Sequence, residues 1–243
     1  MALAAKPAPG ALVVFEAASL KEAFAALAGR FEKAHPGAHV VTNAAGSQEL
    51  RAQLEHGAVA DLFASADRRQ MNMLAAEGLV NGPALFACNE PVVVVRTSLA
   101  ASLKTFADLP NADRIIVGAP EVPVGAYTAQ IWQKAAAKLG ADFAARVEAK
   151  VVSRELNVRQ VLAKVLLGEA DAGIVYRTDA IAAKGKVAVV EIPPELNVTA
   201  AYPIAALKAA PHPDLAGAFI DLVRSPGGAA VLREAGFVPC PAP

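Results

Sequence analysis

The sequence lacks an excess of charge of either sign: 23 Lys and Arg face 23 Asp and Glu in 243 residues. Nucleic acid and acidic membrane surfaces both select basic proteins, so neither is expected as a partner. Aromatic residues are only 5% of a chain that is 55% hydrophobic, so the core must be built from Ala, Val, Leu and Ile. That apolar content excludes a disordered chain. No apolar run approaches the ~18–20 residues that span a bilayer. A soluble globular protein is expected, with one large domain or two small ones at ~100–200 residues each. The opening MALAAKPAPG also lacks the basic start and apolar stretch of a secretory leader. Either the protein is cytosolic or a leader has been removed, and the sequence leaves both open.

Cysteine is scarce. Cys88 and Cys240 stand far apart, with no C-x-x-C spacing. Two unpaired thiols are the favoured reading; one long-range disulfide is the alternative and needs an oxidising compartment. The motifs of common enzymes are missing as well. There is no G-x-S-x-G elbow, no H-E-x-x-H, and no G-x-G-x-x-G after a strand. His35, His39, His56 and His212 fall in turns or at helix ends and read as solvated groups. Asp61, Asp67 and Glu90 are scattered acids with no assignable partner, and Lys21, Lys33, Arg68 and Arg69 read as solvated helix faces. No enzyme and no cofactor are expected.

What is present is alternation of strand-like and helix-like segments. Residues 11–17 (ALVVFEA) read as a strand, followed by a helix over 20–34 with Phe24, Leu27 and Phe31 on one face. A strand from Val40, a helix around Leu50 and Leu54, a strand over 61–66 and a helix over 68–77 follow. Residues 84–96 (ALFACNEPVVVVR) read as one long strand broken at Asn89-Glu90-Pro91, a crossing between lobes. Beyond it come strands at 114–119, 150–153, 172–176 and 187–192, and helices at 127–139, 141–149, 213–223 and 227–235. Val158, Val161, Leu162, Val165 and Leu166 form the cleanest amphipathic helix, closed by Gly168. Such alternation predicts an α/β fold of mainly parallel sheets flanked by helices. The strands are too many for one sheet, so two lobes are expected: 1–88 with 204–243, and 89–203.

In open α/β sheets, ligands bind beyond the carboxyl ends of strands, where helices begin. Four such turns stand out: Phe15–Leu20 (FEAASL), Asn43–Leu50 (NAAGSQEL), Pro123–Tyr127 (PVGAY) and Asn157–Gln160 (NVRQ). Each also has a purely structural reading. Ser19 and Glu22 have capping-box spacing, Asn157 and Gln160 resemble one, and Gly46 and Gly125 suit turns with positive φ. Taken together, four helix starts offer free N–H groups and partial positive charge, the makings of an anion site without Lys or Arg.

The segments FEAASLKEAF, NAAGSQELRAQLEHGAVADLFASAD, VGAPEVPVGAYTAQ and ELNVRQVLAKVLLGEADAGIVYRTDA follow one another at family-like separations. With the closing AGF turn, the chain resembles the molybdate-binding proteins of bacterial ABC importers over about residues 11–238. The resemblance implies a type II periplasmic binding-protein fold, hinged by crossing strands, whose lobes close over one tetrahedral oxyanion. It implies a periplasmic monomer that delivers molybdate or tungstate to a membrane permease. Molybdenum or tungsten would be held only as the oxyanion. The implied ligand residues are Ser19 and Ser47 (hydroxyl and amide), Val124 and Val158 (amides) and Tyr176 (phenol). Without the resemblance, Tyr176 at a strand end reads as a packing residue. Tyr127 and Tyr202 do not match donor positions. Glu16 departs from the pattern, because a carboxylate turned inward would repel a dianion; it is expected to face away or bond to neighbouring backbone. Sulfate or another small oxyanion is the alternative ligand.

Overall fold

The computed structural model describes residues 10–240; the opening nine residues, where a leader was sought, lie outside that range. The chain divides into two compact units, Met1–Cys88 with Ala201–Pro243, and Asn89–Ala200.

The first unit holds β1 (Ala11–Ala17), α1 (Lys21–Ala34), β2 (His39–Ala45), α2 (Ser47–Glu55), β3 (Leu62–Ala64), α3 (Arg68–Ala76) and β4 (Val80–Asn89). The second holds β5 (Pro91–Arg96), β6 (Ile115–Gly118), α4 (Pro123–Leu139), α5 (Ala141–Glu148), β7 (Val151–Glu155), α6 (Val158–Leu166), β8 (Ala172–Tyr176), α7 (Arg177–Ala182) and β9 (Val187–Val190). The chain then returns to the first unit through β10 (Ala200–Leu207), α8 (Pro213–Arg224) and α9 (Pro226–Glu234). The return to the first unit falls at Ala201, and Ile204–Ala206 of β10 pair with β3.

Each unit is built on a five-stranded sheet, in order β2-β1-β3-β10-β4 and β7-β6-β8-β5-β9. Both sheets are mixed. β1 runs parallel to β2 and β3, and β6 to β7 and β8. β10 is antiparallel to β3, and β5 is antiparallel to β8 and β9. So the first strand after each crossing is the one laid antiparallel. Val92–Val95 of β5 are fully buried, which suits an uninterrupted apolar run covered on both faces.

Periodicity explains the packing of the helices. Phe24 and Phe31 of α1 bring their rings within 5.8 and 5.3 Å of Phe219 of α8. Leu50 and Leu54 of α2 and Met71 and Leu74 of α3 cluster with Phe15 and Phe63, which are register partners in β1 and β3. Asp61 is buried between these elements, accepting hydrogen bonds from the Val13 N–H (2.8 Å) and the His212 N–H (2.7 Å).

The break expected at Asn89-Glu90-Pro91 falls at Glu90, between β4 and β5. Two elements and the cysteine pair differ from expectation. β10 and the six-residue α7 were not anticipated. Cys88 and Cys240 form a disulfide, so the thiols are not free. The last residue of the first unit before the crossing is thereby tied to the end of the described chain. Beside it, Cys88 and Val238 exchange backbone hydrogen bonds of 3.1 and 2.8 Å.

Candidate functional site

In the first unit, β2 and β1 are neighbouring parallel strands, and Ser47 and Ser19 follow their carboxyl ends. Both serines therefore stand at one edge of the sheet, and both are buried. Ser19 sits in a single 3-10 turn, Ala18–Leu20, between β1 and α1. It does not cap α1: Leu20 is the N-cap and no side chain caps that end. Instead, Ser19 Oγ lies 2.8 Å from the Tyr202 hydroxyl of β10. Ser47 is the first residue of α2, and its Oγ accepts a hydrogen bond from the Ala66 N–H at 3.0 Å. Ahead of it, the Glu49 carboxylate accepts from the Gly46 N–H at 2.9 Å.

The second unit repeats the arrangement. β7, β6 and β8 are adjacent and parallel where they pair, and each runs into a helix at its carboxyl end. Those helix starts carry Val158 (α6), Val124 (α4) and Tyr176 (the N-cap of α7). Val124 and Val158 lie in first turns, where a backbone N–H has no intrahelical acceptor. Asn157 caps α6, its Oδ1 accepting from the Arg159 and Gln160 N–H groups at 3.1 Å each. Tyr176 is buried, donates its N–H to Asp179 Oδ2 at 3.1 Å, and meets the Tyr127 ring edge-on at 6.4 Å. Asp179 Oδ1 in turn pairs with Arg159 Nε at 2.8 Å.

Neither glycine is explained by positive φ. Gly46 is extended at φ −62°. Gly125 lies inside α4, where a Cβ would stand 2.0 Å from the Ala119 carbonyl oxygen and 2.5 Å from that of Gly118. Close approach of α4 to the end of β6 is what requires glycine there.

The acids left without partners by sequence have them. Asp67 caps α3 by accepting from the Gln70 N–H at 2.8 Å. Burial pushes its carboxyl above the usual carboxylate range, against the lowering effects of that hydrogen bond, of Arg69 and of Ser65. Glu90 pairs with Arg177 at 3.2 Å, and Glu191 pairs with the same guanidinium at 2.7 Å. Hydrogen bonding to Arg177 holds the Glu191 carboxyl below its usual range. Glu16 is wholly buried in β1, with the small residues Ala44 and Ala64 as its register partners on either side. Among the described residues, no group of three or more His, Cys, Asp or Glu side chains could hold a metal ion. The chemistry at both edges is that of neutral hydrogen-bond donors at helix starts, which suits an anion.

Residues 12–238 match the family described as bacterial extracellular solute-binding protein. The chain belongs to that family. As a solute-binding protein it binds and does not catalyse. It is 40% identical, over 96% of its own length and 87% of the relative, to the molybdate-binding protein ModA of Mycobacterium tuberculosis H37Rv. Its fold matches the Azotobacter vinelandii periplasmic molybdate-binding protein at TM-score 0.82, with 21% identity over 95% of this chain and 100% of that one. It matches the sulfate-binding protein SubI of Mycobacterium tuberculosis at TM-score 0.83, with 20% identity over 94% and 86%. Fold alone therefore does not separate the two ligands. The contact of Tyr202 with Ser19 gave no signal in the sequence, since Pro203 hides the strand that carries it.

Proposed function

We propose that this solute-binding protein captures molybdate, and tungstate with little discrimination, for a membrane permease of an ABC importer. The observation that carries this is 40% identity to a molybdate-binding protein across nearly the entire chain. The placement of donors supports it. Ser19 and Ser47 would give hydroxyls and amides, Val124 and Val158 amides, and Tyr176 its phenol. Two of these residues belong to the first unit and three to the second.

A dianion leaving water needs nearly every lone pair satisfied. Fixed neutral donors select by size and by protonation. Sulfate is smaller and leaves the donors stretched; phosphate at neutral pH carries a proton that meets a donor instead of an acceptor. Tungstate matches molybdate in size and charge. The Cys88–Cys240 bond supports an oxidising, periplasmic setting. The protein acts as a monomer.

Titration calorimetry and thermal melts with molybdate, tungstate, sulfate and phosphate test the proposal. Saturating molybdate or tungstate at ~1,000 times Kd adds about 4 kcal/mol of stability. Ser19→Ala and Ser47→Ala should each weaken binding by about one to two decades, the worth of a charged hydrogen bond. A response to sulfate alone would transfer the site to that ligand. No response to any of the four would overturn it.

A further inference from the structure

This inference rests on the oxyanion reading of Ser19 and Ser47. A serine hydroxyl has one proton and two lone pairs, and a tetrahedral dianion offers only acceptors. If the proton goes to the ligand, any other close polar contact of that oxygen must be one it accepts. Ser47 meets the condition by construction: its Oγ partner is the Ala66 N–H, which can only donate. Ser19 Oγ has a different partner, the Tyr202 hydroxyl at 2.8 Å, which could in principle act either way.

We propose that Tyr202 is a positioning residue that donates to Ser19 Oγ, locks the serine proton toward the ligand, and so helps exclude proton-bearing oxyanions. A phenol is a stronger donor than an aliphatic hydroxyl, which favours this direction. The ring is also held in place. The Tyr202 ring is fully buried and is met edge-on by Phe237 at 5.2 Å and Phe86 at 6.4 Å. A ring fixed in this way cannot swing its oxygen off Ser19. The resulting chain, phenol to serine to dianion, polarises in one sense, so each hydrogen bond strengthens the next. Without the phenol, Ser19 can turn a lone pair toward the ligand and accept the proton of a hydrogenphosphate.

The test is a double-mutant cycle read by calorimetry at pH 7 with molybdate and with phosphate. Tyr202→Phe keeps the ring and removes the donor. It should weaken molybdate binding about tenfold and narrow the molybdate-to-phosphate preference by more than that loss alone requires. In a Ser19→Ala background the same change should cost less than about twofold, since its target is gone. Site-specific 3-fluorotyrosine at position 202, a stronger donor of nearly the same shape, should widen the preference, and it keeps the test open if the phenylalanine variant folds poorly. Equal losses in both backgrounds, or an unchanged preference, would overturn the role of Tyr202 while leaving the site intact. Failure of the unaltered protein to bind molybdate would overturn the functional reading and this inference together.

Discussion

Breaking the Cys88–Cys240 disulfide should cost the protein about 4–5 kcal/mol. The bond joins residues 152 positions apart and so encloses the whole of the second unit in one covalent loop. A loop of that length removes roughly 5 kcal/mol of conformational entropy from the unfolded chain. If the second unit stays folded while the first unravels, the free part of the loop shrinks to about 40 residues. The logarithmic dependence still leaves roughly 4 kcal/mol. For a chain of this size, such a change lowers the melting temperature by about 10–20 °C. The assay is equilibrium unfolding in guanidinium, oxidised against reduced, with a Cys88→Ala/Cys240→Ser variant as a control that should ignore the reductant. Cys88 is buried, so alanine is the gentler replacement there. A difference below about 1 kcal/mol between oxidised and reduced protein would refute the loop argument. The Cys88–Val238 backbone pairing would then be what fixes the tail.

Gly125→Ala should destabilise the second unit by about 1–3 kcal/mol, because its Cβ meets two carbonyl oxygens; a neutral denaturation curve would show that α4 is free to shift off β6. Phe219→Ala should cost about 3–5 kcal/mol by opening a cavity between the Phe24 and Phe31 rings, again read by denaturant unfolding. Asp67→Asn should stabilise the protein at neutral pH. The folded carboxyl binds its proton more tightly than the usual value of 3.8, so its contribution is present below that pH and is lost as pH rises through the folded value. Asparagine caps α3 without the buried charge. Loss of stability at pH 7 in this variant would show that the charge at the helix start outweighs its burial.

Legibility in the sequence followed how local the signal was. α6 announces itself, because its apolar spacing and its Asn157 cap lie within one short stretch. β10 does not. It is rich in alanine and contains Pro203, which argues against an inner strand, yet it lies between β3 and β4. Pro203 is tolerated there with its carbonyl accepting from the Ser65 N–H at 3.0 Å. The six residues of α7 are too few to show a period. Ser19 fitted a capping box by spacing, but its hydroxyl is drawn to a partner 183 positions away, which no local pattern can reveal. The disulfide is hidden for the same reason. Ser19, Ser47, Val124 and Val158 lie in turns that were legible as strand-to-helix junctions, whereas Tyr176 came only through the resemblance; that such turns line one edge in each unit follows from strand order, a long-range property.

The position of β10 has a consequence for the order in which the molecule comes into being. The second unit is encoded by one unbroken stretch, Asn89–Ala200, and can finish as soon as that stretch emerges. The first unit begins earlier and finishes last. Until β10 arrives, β3 has an open edge and β4 has no strand beside it. A nascent or threading chain therefore carries an incomplete sheet through the whole production of its neighbour. The serine-bearing edge gains Tyr202 only when the final stretch, from Ala201 onward, takes its place.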